Sequence, residues 1–399
     1  MTRRLGARSK FALLCLAACL QHVVASAHDE DSGYPHTTHG LQFASQALIE
    51  DPVTVSCQLE NGAAAKCLRL KLRHQPTDLR VGPFCPSTID GEGGVWNWSG
   101  EKAGLYRVDR SFFEMIAEQG YKMFNAEGEV YVSDISKAAP TEEHTCIQVS
   151  EDQSVEITAL IPINPVMAHQ PTHLGIVSKI GLSVGGSPIF SDAPSVHHTG
   201  HMPALDTCGG HVDPGGWYHW HANANDIETV FEAKDIDADC HLHQDATAPF
   251  GYAFDGYPIY GSLEANGQTP QMLDSCRGHF GEMANGKVGY HYHTSDTFPN
   301  LPPCLSGVVA VGNIETTAQV GIGANPPEGS EITRRNPPGG GRRGRPNLNE
   351  AALTLGISEQ ALSRALRQSG RPPNLAIAAE TLNVSEQDLL DALPLRPRR

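Results

Sequence analysis

The sequence predicts a mainly β protein with long disulfide-bonded loops, built around an internally duplicated unit of about 70 residues. A tetrapeptide Tyr-His-Trp-His at residues 218–221 returns as Tyr-His-Tyr-His at residues 290–293. Short alternating stretches rich in aromatic residues are broken by frequent glycine and proline, which is typical of short strands joined by loops. Eight cysteines follow residue 27, and an even number favours disulfides in an oxidising compartment.

Residues 1–27 have the pattern of a signal peptide. Four basic residues in the first ten positions precede an apolar stretch over residues 11–20, and Ala-Ser-Ala at 25–27 is a typical cleavage site. The apolar stretch is too short to span a bilayer. Leu-Ala-Ala-Cys at 16–19 offers an alternative, processing as a lipoprotein with a lipidated Cys19. Either route predicts an exported protein, periplasmic or extracellular, without a transmembrane helix.

The charge of the chain is concentrated in its middle. Residues 28–330 carry 14 basic and 38 acidic side chains, whereas the leader and the last 69 residues are basic. Such a negative body repels nucleic acid and anionic lipid and attracts cations. We therefore expect a metal ion, and no nucleic acid, among its partners.

Residues 28–165 are expected to form a small cysteine-containing α+β region. Alternating stretches on both sides of Asn61-Gly62 predict a hairpin. Residues 112–120 predict a short amphipathic helix that ends at a glycine, and residues 121–132 predict a second hairpin around Glu127-Gly128. The expected disulfides are Cys57–Cys67 and Cys85–Cys146.

Residues 166–315 contain the duplication. Residues 180–190 align without gaps on 250–260, and the phrase Asp-x-Cys-x-Gly-His at 206–211 recurs at 274–279. Each unit therefore predicts a strand, a Gly-x-Pro turn, a short strand, a cysteine loop and a histidine strand, and two such units suggest pseudo-twofold symmetry. The expected disulfides lie within units, as Cys208–Cys240 and Cys276–Cys304.

The repeated histidines carry the strongest functional signal. A His-x-His step in a strand places both imidazoles on one face, because side chains alternate. We expect His219, His221, His291 and His293 to bind a transition metal, copper or zinc, which imidazole favours. The repeated residues that precede them, His211 and His279, are expected to be further ligands or partners of ligands. The alternative is a set of strand histidines that only hydrogen-bond to their neighbours.

Cysteine thiolates, calcium-binding carboxylates and further histidines are the other metal ligands that the sequence offers or excludes. Cys208 and Cys276 could bind copper(I) if they were not oxidised, and no calcium-binding loop pattern is present. The unrepeated histidines at 197, 198, 201, 241 and 243 are either additional ligands or exposed loop residues.

Two aspartates are candidate catalytic groups. Asp255 corresponds to Gly185 in the first unit, which makes it a candidate carboxylate specific to the second unit, although a tight Asp-Gly turn also explains it. Asp274 and its counterpart Asp206 are expected to accept hydrogen bonds from the backbone of the cysteine loop.

A Pro/Gly/Arg linker at residues 316–346 leads into a second, helical repeat over residues 347–399. Residues 346–362 match 373–389, and Ser358 and Ser385 are suitable N-caps, so two helical hairpins are expected. An exported chain has no DNA to bind, and this tail is therefore expected to contact a protein partner.

Residues 251–261, 273–279 and 290–293 together resemble the YHYH domain family of exported proteins, over about residues 170–310. Residues 82–89 and 94–96 resemble the region that often precedes this domain. The first copy departs from the family tetrapeptide by carrying Trp220. The resemblance implies export and domain limits, and it implies no reaction.

The sequence thus predicts an exported protein that binds copper or zinc through duplicated His-x-His strands. One alternative is a secreted metalloenzyme, a hydrolase or oxidoreductase, with Asp255 or Asp274 as its base. Another is a cell-surface structural or adhesive protein whose histidines are incidental.

Overall fold

The computed structural model describes residues 36–38, 40–75, 79–174, 178–191, 196–224, 226–242, 248–295 and 300–324, with scattered positions between 348 and 393. The expected signal peptide, the lipoprotein alternative at Cys19, His243 and most of the linker lie outside the described residues.

Strands dominate the described structure. In chain order they are β1 His36–Thr38, β2 Leu41–Phe43, β3 Val53–Gln58, β4 Ala64–Arg73, β5 Val95–Trp98, β6 Gly104–Arg107, β7 Val132–Asp134, β8 Thr145–Gln148, β9 Glu156–Pro162, β10 Met167–His173, β11 Lys179–Ser183, β12 Pro188–Phe190, β13 His201–Met202, β14 Gly210–Val212, β15 Tyr218–Trp220, β16 Gly251–Ala253, β17 Pro258–Tyr260, β18 Gly278–Glu282, β19 Val288–His293, β20 Cys304–Gly307 and β21 Ile314–Thr316. The helices are α1 Arg110–Glu118, α2 Val196–Thr199, α3 Ile227–Lys234 and α4 Leu375–Leu382, with a 3₁₀ turn at Ser45–Ala47. The predicted mainly β class is confirmed.

An eight-stranded sheet holds the repeated motifs, in the order β14-β15-β12-β11-β16-β17-β19-β18. Strands from residues 179–220 form one half and strands from residues 251–293 form the other. At the centre β11 and β16 run antiparallel, with Leu182 opposite Tyr252. These two residues are equivalent at the offset of 70, so the strand order reads alike from both edges.

Glycine is required on both sides of this central pairing. A Cβ on Gly181 would lie 2.1 Å from Tyr252 O, and a Cβ on Gly251 would lie 2.3 Å from Leu182 O. Both contacts are far shorter than carbon–oxygen van der Waals contact. The equivalent glycines therefore allow the two halves to join as one sheet.

The two faces of this sheet pack against different layers. Ile189 belongs to a core shared with α1, α3 and the β5–β6 hairpin. Its neighbour Phe190 belongs to a second core, shared with β4 and β9 of the four-stranded sheet β21-β9-β4-β3. The alternation of side chains along β12 explains why adjacent residues enter opposite cores. The histidine strands thus lie in the middle layer of the structure.

The predicted N-terminal hairpin is confirmed, because β3 pairs antiparallel with β4. Helix α1 is also confirmed: Asp109 Oδ1 accepts from Phe112 N at 3.0 Å, and Gly120 has φ +95° after its end. The second predicted hairpin is confirmed in part. An antiparallel bridge joins Phe124 and Val130 around the expected turn, and Tyr131 N donates to Met123 O at 2.8 Å, but the pairing does not extend into strands. Beyond it, β7 pairs in parallel with β8.

All four predicted disulfides are present. Cys57–Cys67 crosses the β3–β4 hairpin and Cys85–Cys146 lies in the N-terminal region. Cys208–Cys240 and Cys276–Cys304 lie within their repeat units. A disulfide restricts the unfolded chain. In the chain-entropy model, closing a loop of this length contributes about 3–4 kcal/mol to the free energy of unfolding.

The tail has a small core of its own. Helix α4 is its one continuous described element, and other described positions such as Leu348 and Leu362 are also helical. Its buried residues include the pairs Ala351/Ala378, Leu362/Leu389 and Leu366/Leu393, each separated by the repeat offset of 27. Within the described parts of the chain, no helix combines the length and hydropathy needed to cross a membrane.

Candidate metal centres

Cluster A consists of His211, His219 and His221. The antiparallel pairing of β14 with β15 puts His211 directly opposite His219, and His221 follows at the end of β15. The Nε2 atoms converge, at 3.0 Å between His219 and His221 and 3.1 Å between His221 and His211. The hairpin register therefore brings three imidazoles to one point.

Cluster B consists of Glu264, His279, His291 and His293. The β18–β19 pairing puts His279 opposite His291, and their Nε2 atoms are 3.1 Å apart. Glu264 Oε1 lies 3.1 Å from His279 Nε2, and Oε2 lies 3.5 Å from His293 Nε2 and 3.6 Å from His291 Nε2. The geometry is that of cluster A with a carboxylate added.

Backbone carbonyls orient two of the three imidazoles of cluster A, and the buried Nδ1 of His219 has no hydrogen-bond partner among the described residues. The Nδ1 of His211 lies 3.1 Å from Pro203 O, and the Nδ1 of His221 forms a short hydrogen bond with Ser191 O. We assign the proton to Nδ1 because a carbonyl can only accept. A neutral imidazole protonated there presents the Nε2 lone pair to the centre, as a metal ligand does.

The same arrangement holds the imidazoles of cluster B. Their Nδ1 atoms face carbonyls at 2.9–3.1 Å, in the pairs His279–Gln271, His291–Gly289 and His293–Gly261. Gln271 and Gly261 correspond to Pro203 and Ser191 at offsets of 68 and 70. The carbonyl support of the histidines is thus repeated along with the histidines.

Converging Nε2 atoms that all lack protons repel one another unless a cation lies between them. The Nε2 of His293 is buried and makes no hydrogen bond within the described residues. A tetrahedral ion with bonds of about 2.0–2.1 Å separates its nitrogen ligands by about 3.3 Å, close to the spacing in both clusters. Each cluster can hold one metal ion. The four candidate ligand atoms of cluster B lie within 4.8 Å of one another, and so do the three of cluster A.

Burial keeps these imidazoles neutral. It lowers the pKa of His211 and of His293 to about 4. Burial, followed by the positive charge of neighbouring imidazoles, holds the pKa of His219 and of His221 well below the usual value. Few protons must therefore leave when a metal binds at neutral pH.

The candidate base Asp274 lies on the tyrosine face of the sheet. Its Oδ2 accepts from Tyr290 OH at 2.7 Å, and its Oδ1 accepts from Cys276 N and Gly278 N. Asp206 makes the same bonds in the first unit, to Tyr218 OH, Cys208 N and Gly210 N. The backbone bonds expected of these two aspartates are present.

The glycine in each Cys-x-Gly-His phrase is required by the close approach of a tyrosine. A Cβ on Gly210 would lie 2.1 Å from Tyr218 OH, and a Cβ on Gly278 would lie 2.1 Å from Tyr290 OH. The tyrosine must cross this glycine to reach its aspartate. The repeated phrase is therefore one hydrogen-bonded unit, with its histidine on the other face.

The candidate base Asp255 also contacts a tyrosine. Its Oδ2 accepts from Tyr292 OH at 2.6 Å and from Gly307 N at 2.8 Å, and burial raises its pKa to about 6. The first unit has Gly185 and Trp220 at the corresponding positions. Carboxylate and hydroxyl thus occur together in one unit and are replaced together in the other.

The unrepeated histidines lie elsewhere. His241 is exposed beside Asp239, and His197 Nδ1 is 2.7 Å from Tyr121 OH. Burial lowers the pKa of His201. The side chain of His198 is not described, and neither of the metal clusters found among the described residues includes the other three.

The sequence reasoning missed Glu264. At the offset of 70 it aligns with Pro194, so the repeat gives no signal for it.

A hydrogen-bond network that joins the ends of β15 and β19 was also not predicted from the sequence. Asp226 Oδ2 accepts from Ser262 N at 2.7 Å, Thr294 Oγ1 at 2.5 Å and Asn223 Nδ2 at 3.1 Å. Its neighbour in space, Gly261, supplies the carbonyl that holds His293. An aspartate at the start of α3 thus fixes the loop that leads to Glu264.

Comparison with known proteins adds one family. The family described as YHYH protein matches residues 158–271, a range that contains all of cluster A, together with Asp255 and Glu264. The match ends before the tetrapeptide at 290–293. Neither the curated proteins nor the solved structures compared with the chain include a match. Residues 158–271 are therefore similar to the family that the sequence resembles, and the phrases at 273–279 and 290–293 lie outside the matched range.

Proposed function

We propose that this protein binds two transition-metal ions, copper or zinc, one in cluster A and one in cluster B. The supporting observation is the convergence of the Nε2 atoms, each within 3.0–3.6 Å of another candidate ligand atom, with five of the six Nδ1 atoms held by carbonyls. In cluster B, where carbonyls hold all three Nδ1 atoms, hydrogen bonding alone does not account for three deprotonated nitrogens and a carboxylate that face one another. Imidazole suits both copper and zinc.

We further propose that the two clusters descend from one duplicated unit. The sheet order, the central pairing of Leu182 with Tyr252 and the repeated carbonyl partners all support it. We also propose that the duplicated domain spans residues 166–315. We propose that the helical tail at residues 347–399 binds a protein partner.

The disulfides and the YHYH domain fit an exported protein. We propose export through the leader at residues 1–27, with metal sequestration or delivery outside the cytoplasm as the role. Binding is favoured over catalysis because Asp255 and Asp274 both bond to tyrosines that alternate with the ligand histidines along β19. Their roles as bases remain predictions.

Metal analysis of the natively exported protein tests this function. We expect two ions of copper or zinc per chain. The variants His219→Gln/His221→Gln and His291→Gln/His293→Gln should each retain one ion, and the combined variant should retain none.

Exposed histidines of the same domain provide a matched control. His169→Gln/His173→Gln changes two exposed residues of β10 and should leave both ions bound. Equal metal contents in the wild type and in the combined variant, with disulfides intact in both, would disprove the proposal.

A further inference from the structure

The two clusters differ by one negative charge. Cluster B contains the carboxylate of Glu264, which lies within 3.1–3.6 Å of all three of its Nε2 atoms. Among the residues that the structure describes, cluster A contains imidazoles alone. A divalent ion would leave a net charge of about +1 in cluster B and about +2 in cluster A, whereas a monovalent ion would leave about 0 and +1.

The surroundings of cluster A are poorly suited to a high charge. His219 and His221 are each 3% exposed. The ring of His219 packs 5.2 Å from that of Phe190 and 5.1 Å from that of Trp217. The cost of burying an ion rises steeply with its charge, and these aromatic rings supply no negative charge to offset it.

Cluster B has the compensation that cluster A lacks. The attraction between Glu264 and a bound ion doubles when the ion charge rises from one to two. Glu264 is 17% exposed, so solvent only partly screens this attraction. The carboxylate therefore favours a divalent ion over a monovalent one.

We propose that cluster B holds a divalent ion and cluster A holds monovalent copper. The inference rests on the proposed function, that both clusters bind metal. Copper is the element proposed for cluster A because imidazole binds copper and because, of the two metals considered, only copper forms a stable monovalent ion. One chain would then keep two ions of different charge in two similar three-histidine frames.

Full-length protein with a single intact cluster tests this proposal. The cluster A protein carries His291→Gln/His293→Gln, and the cluster B protein carries His219→Gln/His221→Gln. Each is titrated with Zn²⁺ and, without oxygen, with Cu⁺ kept reduced by ascorbate, against competing chelators. The ratio of Cu⁺ affinity to Zn²⁺ affinity should be about a hundredfold larger for the cluster A protein.

Glu264→Gln in the cluster B protein removes the charge and keeps the shape of the side chain. We expect Zn²⁺ affinity to fall by about tenfold or more and Cu⁺ affinity by less than about threefold. The ratio would then move toward that of cluster A. An equal loss for the two ions would overturn the proposal.

Asp192 lies in residues 192–195, outside the described residues, and follows Ser191 in the chain. Asp192→Asn in the cluster A protein should leave both affinities within about twofold. A selective loss of Zn²⁺ affinity would assign a carboxylate to cluster A and would also overturn the proposal.

The outcomes separate the two levels of inference. If neither single-cluster protein binds Zn²⁺ or Cu⁺, although its disulfides and circular dichroism match those of the wild type, the proposed function fails. If both bind with equal affinity ratios, metal binding stands and the difference in ion charge is wrong.

Discussion

Cluster A and cluster B place three imidazoles at the same positions of two β-hairpins, yet among the described residues only cluster B receives a carboxylate from a loop. In both, the first histidine lies opposite the second across the hairpin, and the third follows two residues later. Glu264 comes from the segment after β17, where the sequences of the two halves no longer match. Strand pairing therefore determines the imidazole frame, and the loops determine the charge around it.

The opposite face of the sheet shows a second difference between the halves. The second half pairs Tyr292 with Asp255, whereas the first half has Trp220 and Gly185. Where an indole replaces the phenol, no hydroxyl is present to donate a hydrogen bond to a carboxylate. The asymmetry of Asp255 thus has a structural explanation that does not involve the metal clusters.

The largest expected effect is the loss of stability on metal removal. Chelation should lower the free energy of unfolding by about 3 kcal/mol per occupied cluster, where free ion exceeded the dissociation constant about a hundredfold. Urea denaturation with and without chelator measures it. The two single-cluster proteins should each lose about half the wild-type effect, and equal unfolding curves with and without chelator would contradict metal binding in the folded state.

A smaller effect is expected from Asp226→Ala, which should distinguish the clusters. It leaves Ser262 N and Thr294 Oγ1 without their acceptor, at a cost of about 2 kcal/mol in the free energy of unfolding. Metal affinity should fall more at cluster B than at cluster A, because Asp226 fixes the Gly261 loop.

Glu232→Ala is the matched control, since it removes an exposed acid from the same helix. Competition titrations of the single-cluster proteins carrying each change give the comparison. If Asp226→Ala weakened both clusters equally, the network would be a general support of the fold and would not position cluster B in particular.

The smallest expected effect concerns Asp255 and pH. Its folded pKa of about 6 exceeds the ordinary 3.9 or so, so its contribution to stability is greatest at low pH and is lost as pH rises through 6. Asp255→Asn removes this dependence. Relative to the wild type, the variant should gain about 1 kcal/mol in free energy of unfolding between pH 5 and pH 8.

Urea denaturation of metal-free protein across that pH range measures the gain. Val311→Ala, at an exposed position without an ionisable group, should differ from the wild type by an amount that does not depend on pH. The same flat difference for Asp255→Asn would mean that Asp255 is charged without penalty in the folded protein.

The sequence could predict the parts of the structure that are encoded locally or by repetition. The β3–β4 hairpin follows from alternation around Asn61-Gly62, and the disulfides follow from the position of cysteines within each unit. The histidine ligands follow from the repeated tetrapeptide. Each of these signals involves residues close in sequence or written twice.

The rest depends on contacts between distant residues. Glu264 reaches cluster B only because β17 pairs in parallel with β19, which no local pattern reports. The turn predicted at Glu127-Gly128 forms, and Asn125 Oδ1 closes it by accepting from the backbone of Glu127 and Glu129. The antiparallel pairing beside it is limited to one bridge. Beyond it, β7 pairs with β8 instead.

The carbonyl partners of the histidines have a consequence for how the sequence can change. Proline at 203 and glutamine at 271 hold equivalent imidazoles, as do serine at 191 and glycine at 261, through main-chain oxygens alone. The side chains at these positions can therefore be substituted without changing the tautomer of the histidine that the carbonyl holds. The support of these clustered histidines belongs to the path of the backbone, and it is the same in both halves even where the residues differ.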